Sequence, residues 1–179
     1  VQERDAAGNW SSSGSRTIVI DTTAPTASVT TAAIPNSSNA VVQSTETGTA
    51  YLVKTTVSVS NLASITGAAN SQQNSVTISS AATNTNLAAT GLVDGTYKVY
   101  AVDAAGNLSS ASTNSVTLDT TTPTIISFTS TTNDGSYILA ASVNITATAS
   151  EDVAAGNTIT ATLDTGDTVL LTAAANGTT

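Results

Sequence analysis

Cysteine, histidine and methionine are absent from this chain. Without cysteine no disulfide can staple a small core. Without cysteine and histidine together, the Ser-His-Asp and Cys-His arrangements and the usual N/S zinc sites are excluded. Aromatic residues make up 3% of the 179 residues and charged residues 9%. Four basic side chains face twelve acidic ones, a formal net charge of −8. That balance opposes nucleic acid, whose binding depends on neutralising phosphates with Lys and Arg, and opposes anionic membrane surfaces for the same reason. It suits divalent cations. No run approaches the roughly 18 apolar residues of a membrane span, so no direct membrane insertion is expected, and no signal-peptide pattern is visible. Glu151 and Asp152 are formally a carboxylate pair for glycoside hydrolysis. Adjacent residues on a strand end point to opposite faces, however, and no aromatic sugar platform lies near them. The expectation is a protein that is not an enzyme.

Thr, Ser, Ala, Val and Asn fill the space left by these absences. Thr and Val favour strands, and no stretch keeps an apolar 3.6-residue period long enough for a helix. Short alternating runs broken by Gly, Asn, Asp and Pro predict an all-β chain of many short strands. The runs are Thr26–Thr31, Asn39–Glu46, Thr49–Val53, Thr55–Leu62, Ser75–Ser80, Thr96–Val102 and Ser115–Thr120, with residues 63–74 read as loop. Further on, Ser142–Gly156 alternates, and Thr158–Thr172 reads as a hairpin across Asp164–Asp167. Cores filled by Val, Ile, Leu and Ala alone are thin, and such domains are modestly stable unless something else supplements them.

The chain repeats itself. "DAAGN" occurs at Asp5–Asn9 and at Asp103–Asn107, and "DTTAP" (Asp21–Pro25) is matched by "DTTTP" (Asp119–Pro123). Both pairs are offset by 98 positions, and each second motif begins sixteen residues after its "DAAGN" aspartate. One spacing kept at one period marks an internal repeat. Its length matches a β-sandwich domain of about 100 residues. Residues 1–21 then read as the closing strands of one repeat, 22–119 as a complete repeat and 120–179 as the first part of a third.

In "GLVDGTYKVYAVDAAGN" (Gly91–Asn107), an Asp94-Gly95 turn is followed by Tyr97 at the start of a strand. This resembles the tyrosine corner of immunoglobulin-like domains, in which the hydroxyl bonds back to upstream backbone. Val99 takes the inward position that antibody domains give to cysteine. Together with "STETGTAYLV" (Ser44–Val53), "NDGSY" (Asn133–Tyr137) and "ITATASEDV" (Ile145–Val153), these motifs make nearly the whole chain similar to the bacterial Ig-like tandem repeats of giant surface proteins and RTX-type adhesins. The resemblance implies tandem immunoglobulin-like sandwiches forming an extracellular stalk at a bacterial cell surface, with calcium often held at the joints. Neighbouring repeats of the same chain would be its partners. The receptor is not implied, because adhesive specificity usually lies in other domains.

In an immunoglobulin-like sandwich, Asp21 before the first strand, Glu46 at the end of the second and Asp103 at the start of the last long loop would meet at one pole. The same logic groups Asp119 with Glu151 at the next joint, because Ser150-Glu151 mirrors Thr45-Glu46. It gives Asp5 the place of Asp103 in the preceding repeat. Asp94 would lie at the opposite pole and approach the Asp119 joint from its preceding side. Calcium takes six to eight oxygen ligands, which converging carboxylates can begin to supply. The competing reading is turn chemistry alone, since Asp and Asn cap backbone N–H groups and tolerate left-handed conformations. Two other function classes compete with the stalk. One is a self-assembling surface filament or surface layer joined by strand exchange between copies. The other is a carbohydrate-binding module, disfavoured by the shortage of aromatics.

Overall fold

The computed structural model describes residues 1–138, 141–162, 166–175 and 177. The chain divides into two compact units, Val1–Thr120 and Thr121–Thr179.

In the first unit, short strands pack as two sheets. One contains β1 (Ala27–Val29), β3 (Asn39–Ser44) and β6 (Thr85–Ala88), in the order β1-β3-β6. The other has the order β2-β8-β7-β4-β5, from β2 (Ala32–Ile34), β4 (Gly48–Lys54), β5 (Gln73–Ile78), β7 (Gly95–Asp103) and β8 (Val116–Leu118). Alternation along each strand decides what it buries. Ala40 and Val42 of β3, Ala50 and Leu52 of β4, and Tyr97, Val99 and Ala101 of β7 point into a single cluster between the sheets. Val116 and Leu118 of β8 close it. The chain is all-β in the sense its alternating runs predict.

The run Thr26–Thr31 contains the expected first strand as β1, and a second short strand that the run did not include follows it. Thr30 N donates to Val41 O, ending the pairing of β1 with β3, and the chain then crosses to the other sheet as β2. There it pairs parallel to β8, Ala32 opposite Val116 and Ile34 opposite Leu118. Alternation cannot show such a change of sheet, because both pieces keep the same period.

The expectation of a strand over Thr55–Leu62 fails. Thr55 N donates to Thr96 O and Val57 N to Lys54 O, so the backbone turns away immediately after β4. Asn61 then caps a short helix, α1 (Leu62–Thr66). Asn61 Oδ1 accepts from Ser64 N at 2.9 Å, while Ser64 Oγ accepts from Asn61 N at 3.2 Å, a reciprocal capping box. Ile65 is the buried residue of this helix. The alternation of Val57 and Val59 belongs to a turn with two half-buried side chains. Residues 63–74, read as loop, contain that helix and the start of β5, and β6 had no counterpart among the expected strands.

The second unit pairs β9 (Ile125–Thr129) with β10 (Thr146–Ala149), and β11 (Thr158–Thr162) with β12 (Thr168–Thr172), both antiparallel. The expected hairpin over Thr158–Thr172 is therefore present. Its tip, including Asp164, lies outside the described residues. Ser150 N donates to Thr124 O at 2.8 Å and Thr124 N to Ser150 Oγ at 2.9 Å. These bonds copy the pair in the first unit, Thr45 N to Thr26 O at 3.1 Å and Thr26 N to Thr45 Oγ1 at 2.8 Å. Ile145, Ala149, Val153, Ile159 and Leu171 line a cleft of about 290 Å³ in this unit.

Candidate metal centre

The site begins with a turn that the sequence writes twice. In Asp103–Asn107, Asp103 Oδ1 accepts from Asn107 N at 2.8 Å and Oδ2 from Asn107 Nδ2 at 2.7 Å. Gly106 takes φ +95° and donates its N–H to Asp103 O at 3.3 Å. The copy at Asp5–Asn9 repeats each feature. Asp5 Oδ1 and Oδ2 accept from Asn9 N and Nδ2 at 2.8 and 3.0 Å, and Gly8 takes φ +94°. Even the flanking bridges correspond, Arg4 with Trp10 and Val102 with Leu108. Yet Asp5 is exposed and Asp103 is buried. A turn that forms in both settings is specified locally, by an acceptor and a donor four residues apart around a glycine.

Burial acts to raise the pKa of Asp103, but hydrogen bonds from the Asn107 side chain and backbone, with further bonds from Gly106 and Ala105, outweigh it and hold the carboxyl below its ordinary value. Asp5 is lowered as well, chiefly by the Asn9 side chain. The sign follows from linkage. A native pKa below the ordinary 3.8 makes the contribution to stability complete at neutral pH. It shrinks as pH falls past 3.8 and is gone below the lowered native value. Asn107→Ala should therefore lower stability at neutral pH and flatten its acid-side decline, measured by urea unfolding across pH in the presence of a chelator. Parallel pH curves for the variant and the parent would refute the assignment.

Tertiary packing brings two more carboxylates to Asp103. Glu46 follows β3 in a bend where its N–H donates to Ser44 Oγ at 3.2 Å. Asp21 lies before β1, where its Oδ1 accepts from Thr23 N at 3.0 Å and its main-chain oxygen accepts from Asn107 Nδ2 at 3.2 Å. Asn107 therefore joins the Asp103 turn to the segment that precedes the first strand. Carboxylate oxygens of Asp21, Glu46 and Asp103 all lie within 4.8 Å of one another. Three carboxylates this close repel one another unless a cation or protons compensate. The donor set is all oxygen, which suits a hard divalent cation and not a thiophilic one. The Asp103 oxygens keep lone pairs beyond those that Asn107 uses.

The remaining expected residues are placed differently. Asp94 Oδ1 accepts from Thr120 N at 2.9 Å and Thr120 Oγ1 at 2.7 Å, so it does reach the segment following β8, through Thr120. Asp119 donates its N–H to Ile34 O at 3.1 Å. Glu151 follows β10 in the second unit, and Asp5 occupies its own turn. Among the described residues, neither Asp5, Asp94, Asp119 nor Glu151 joins a group of three metal-ligating side chains. The turn reading already has the Asn107 N–H as a partner of Asp103 and places Gly48 with Glu46 in the turn after the second strand, and the Asn107 N–H bond is present. What the sequence does not show is that the Asn107 side chain also reaches Asp103 and the main chain of Asp21, and that Gly48 is the register partner of Asp103.

No protein-family model, curated protein or solved structure matches the chain.

Proposed function

We propose that the chain is a structural segment of an extracellular stalk at a bacterial cell surface, built of tandem immunoglobulin-like β-sandwiches and without enzymatic activity. In this reading, calcium held by Asp21, Glu46 and Asp103 stiffens it where one repeat joins the next. The observation that carries the reading is the convergence of these three carboxylates from points far apart in the chain. The 98-residue recurrence of the turn and of the segment after it supports the tandem arrangement. The Tyr97 hydroxyl, 2.6 Å from Val93 O, supports the immunoglobulin-like topology. Asp21 stands directly before the repeat and Asp103 within it, so an ion bound to both would fix the entering segment to the pole. Receptor contacts would then fall to other parts of the full protein.

Extracellular calcium modules bind with Kd of about 10⁻⁴–10⁻³ M. At a calcium concentration ten times Kd, ligation stabilises the folded state by about 1.4 kcal/mol. For a domain of this size that raises Tm by roughly 6–10 °C. Calorimetry of the chain in calcium and in chelator should show this rise, and Asp103→Asn with Glu46→Gln should abolish it. Equal melting temperatures in calcium and in chelator would remove the metal from the proposal.

A further inference from the structure

We propose that the outer face of the five-stranded sheet in the first unit binds an acidic polysaccharide. Tyr51 and Tyr100 form the platform for its sugar rings, and Lys98 pairs with a uronate carboxylate. Alternation decides which side chains share this face. Ala50 and Leu52 of β4, and Val99 and Ala101 of β7, point into the core between the sheets. Tyr51, Lys98 and Tyr100 therefore point the other way, and each is half-buried. Tyr51 and Tyr100 are register partners, which sets their Cβ atoms about 5 Å apart. Lys98 lies two residues from Tyr100 on the same strand, about 7 Å along it. Ser75, the partner of Tyr51 on β5, extends the face with an exposed hydroxyl.

Hydrogen bonding sets these side chains apart from the other tyrosines. The Tyr97 hydroxyl donates to Val93 O and Ser71 O, and the Tyr137 hydroxyl to Asn133 O. Those of Tyr51 and Tyr100 have no partner among the described residues, and neither does the Lys98 ammonium. The fold does not require an aromatic here, since Gln2 takes the place of Tyr100 in the preceding repeat. Charge sets the face apart as well. Residues 22–119 hold four acidic side chains, all at strand ends: Glu46 after β3, Asp94 before β7, Asp103 closing β7 and Asp119 after β8. The cations of the same stretch are Lys54 and Lys98. Lys54 Nζ is taken up by Asp94 O at 2.7 Å. That leaves Lys98 to meet an anion, in a chain whose net charge of −8 otherwise repels one.

A pyranose ring offers apolar C–H faces and a polar rim. The faces suit tyrosine rings, whose electron-rich surfaces attract C–H groups, and the rim hydroxyls can bond the phenol and Ser75 hydroxyls. A uronate ring adds a carboxylate, which the Lys98 ammonium meets in a charge-assisted hydrogen bond. A neutral glycan would leave Lys98 unused, and an acidic peptide would leave the two rings without a flat partner. Aromatic residues are few in this chain, but packing sets two of them side by side. Each contact is weak because the groups stay part-exposed. Strength comes from repetition along a polymer that several copies of the chain hold at once.

The test is titration of the whole chain, in chelator, with a short oligomannuronate and with its carboxyl-reduced, neutral counterpart, followed by NMR shifts. Chelator keeps calcium from bridging the uronates to the acidic pole, so the metal reading stands or falls separately. The uronate oligomer should bind and move the signals of Tyr51, Ser75, Lys98 and Tyr100. Its affinity should exceed that of the neutral oligomer by about two- to fivefold, the strength of one part-exposed ion pair. Lys98→Gln should erase that preference, and Lys54→Gln should keep it. Tyr51→Thr and Tyr100→Thr, which retain strand propensity, should weaken binding of both oligomers several-fold. Should either tyrosine variant fail to fold, the comparison of Lys98→Gln with Lys54→Gln still decides. Absence of binding, equal affinity for the two oligomers, or an unchanged preference in Lys98→Gln would overturn the proposal. Shifts at these residues that follow protein concentration and not sugar would assign the face to a second copy of the chain, and overturn it as well.

Discussion

Tyr97→Ala is expected to destabilise the first unit by about 3–5 kcal/mol, the range for deleting a large buried aromatic. Tyr97 is 0% exposed and is the largest fully buried side chain among the described residues. It sits near the start of β7, between the two sheets, in a core otherwise made of Ala, Val, Leu and Ile. Small neighbours of this kind cannot collapse far enough to fill the space, so the cavity cost is added to the lost transfer energy. Tyr97→Phe isolates the hydroxyl. The Tyr97 oxygen is 2.6 Å from Val93 O and 3.2 Å from Ser71 O. Ser71 O keeps the N–H of Val93 as a donor when the hydroxyl is removed. Val93 O has no such substitute among these bonds, but Val93 is 45% exposed, so the conservative change should cost about 0.5–1.5 kcal/mol, the net value of one hydrogen bond. At about 4–8 °C per kcal/mol for a domain of 60–100 residues, both losses are readable as shifts in Tm and as urea midpoints with unchanged slope. A neutral Tyr97→Phe would mean that the corner is held by the ring and not by its hydroxyl.

Gly48→Ala is expected to rank next, and to act on the candidate metal centre as well as on stability. Gly48 has φ +152° at the first position of β4, a backbone state that is nearly restricted to glycine. The conformation alone should cost an alanine about 1–3 kcal/mol. Space makes the change worse. A Cβ at Gly48 would stand 2.0 Å from Val102 O and 2.9 Å from Asp103 Cα. Both contacts are with backbone, so no flexible side chain can move aside, and β4 and β7 must separate where Asp103 enters its turn. The variant should therefore lose more stability than the conformational cost alone, and any calcium-dependent rise in Tm should shrink with it. Retained stability with an intact calcium response would show that the two strands tolerate separation at this end. Gly106→Ala, whose added Cβ meets nothing within 4 Å, isolates the effect of positive φ without the clash.

The sequence by itself determined the local pieces. The "DAAGN" turn forms the same hydrogen bonds at Asp5 and at Asp103, although one is exposed and the other buried. Its acceptor, donor and glycine all lie within five residues, so a short segment contains everything the geometry needs. Most strands were likewise legible, because alternation between core and solvent is written along each run. The capping box of α1 was also present, as Asn61 and Ser64, but the alternation of Val57 and Val59 masked it. Only the tertiary structure decided relations between distant segments. It moved the chain from one sheet to the other between β1 and β2, where the apolar period does not change. It placed β8 parallel beside β2 across more than eighty residues. The three acidic side chains had been expected at one pole, on the strength of a resemblance. Their approach to within 4.8 Å is a result of packing, since Gly48 lets β4 close on β7 and Asn107 bonds to both Asp103 and the main chain of Asp21. Contacts between residues 21, 46 and 103 exist only once the sheets have formed, and no local pattern can encode them.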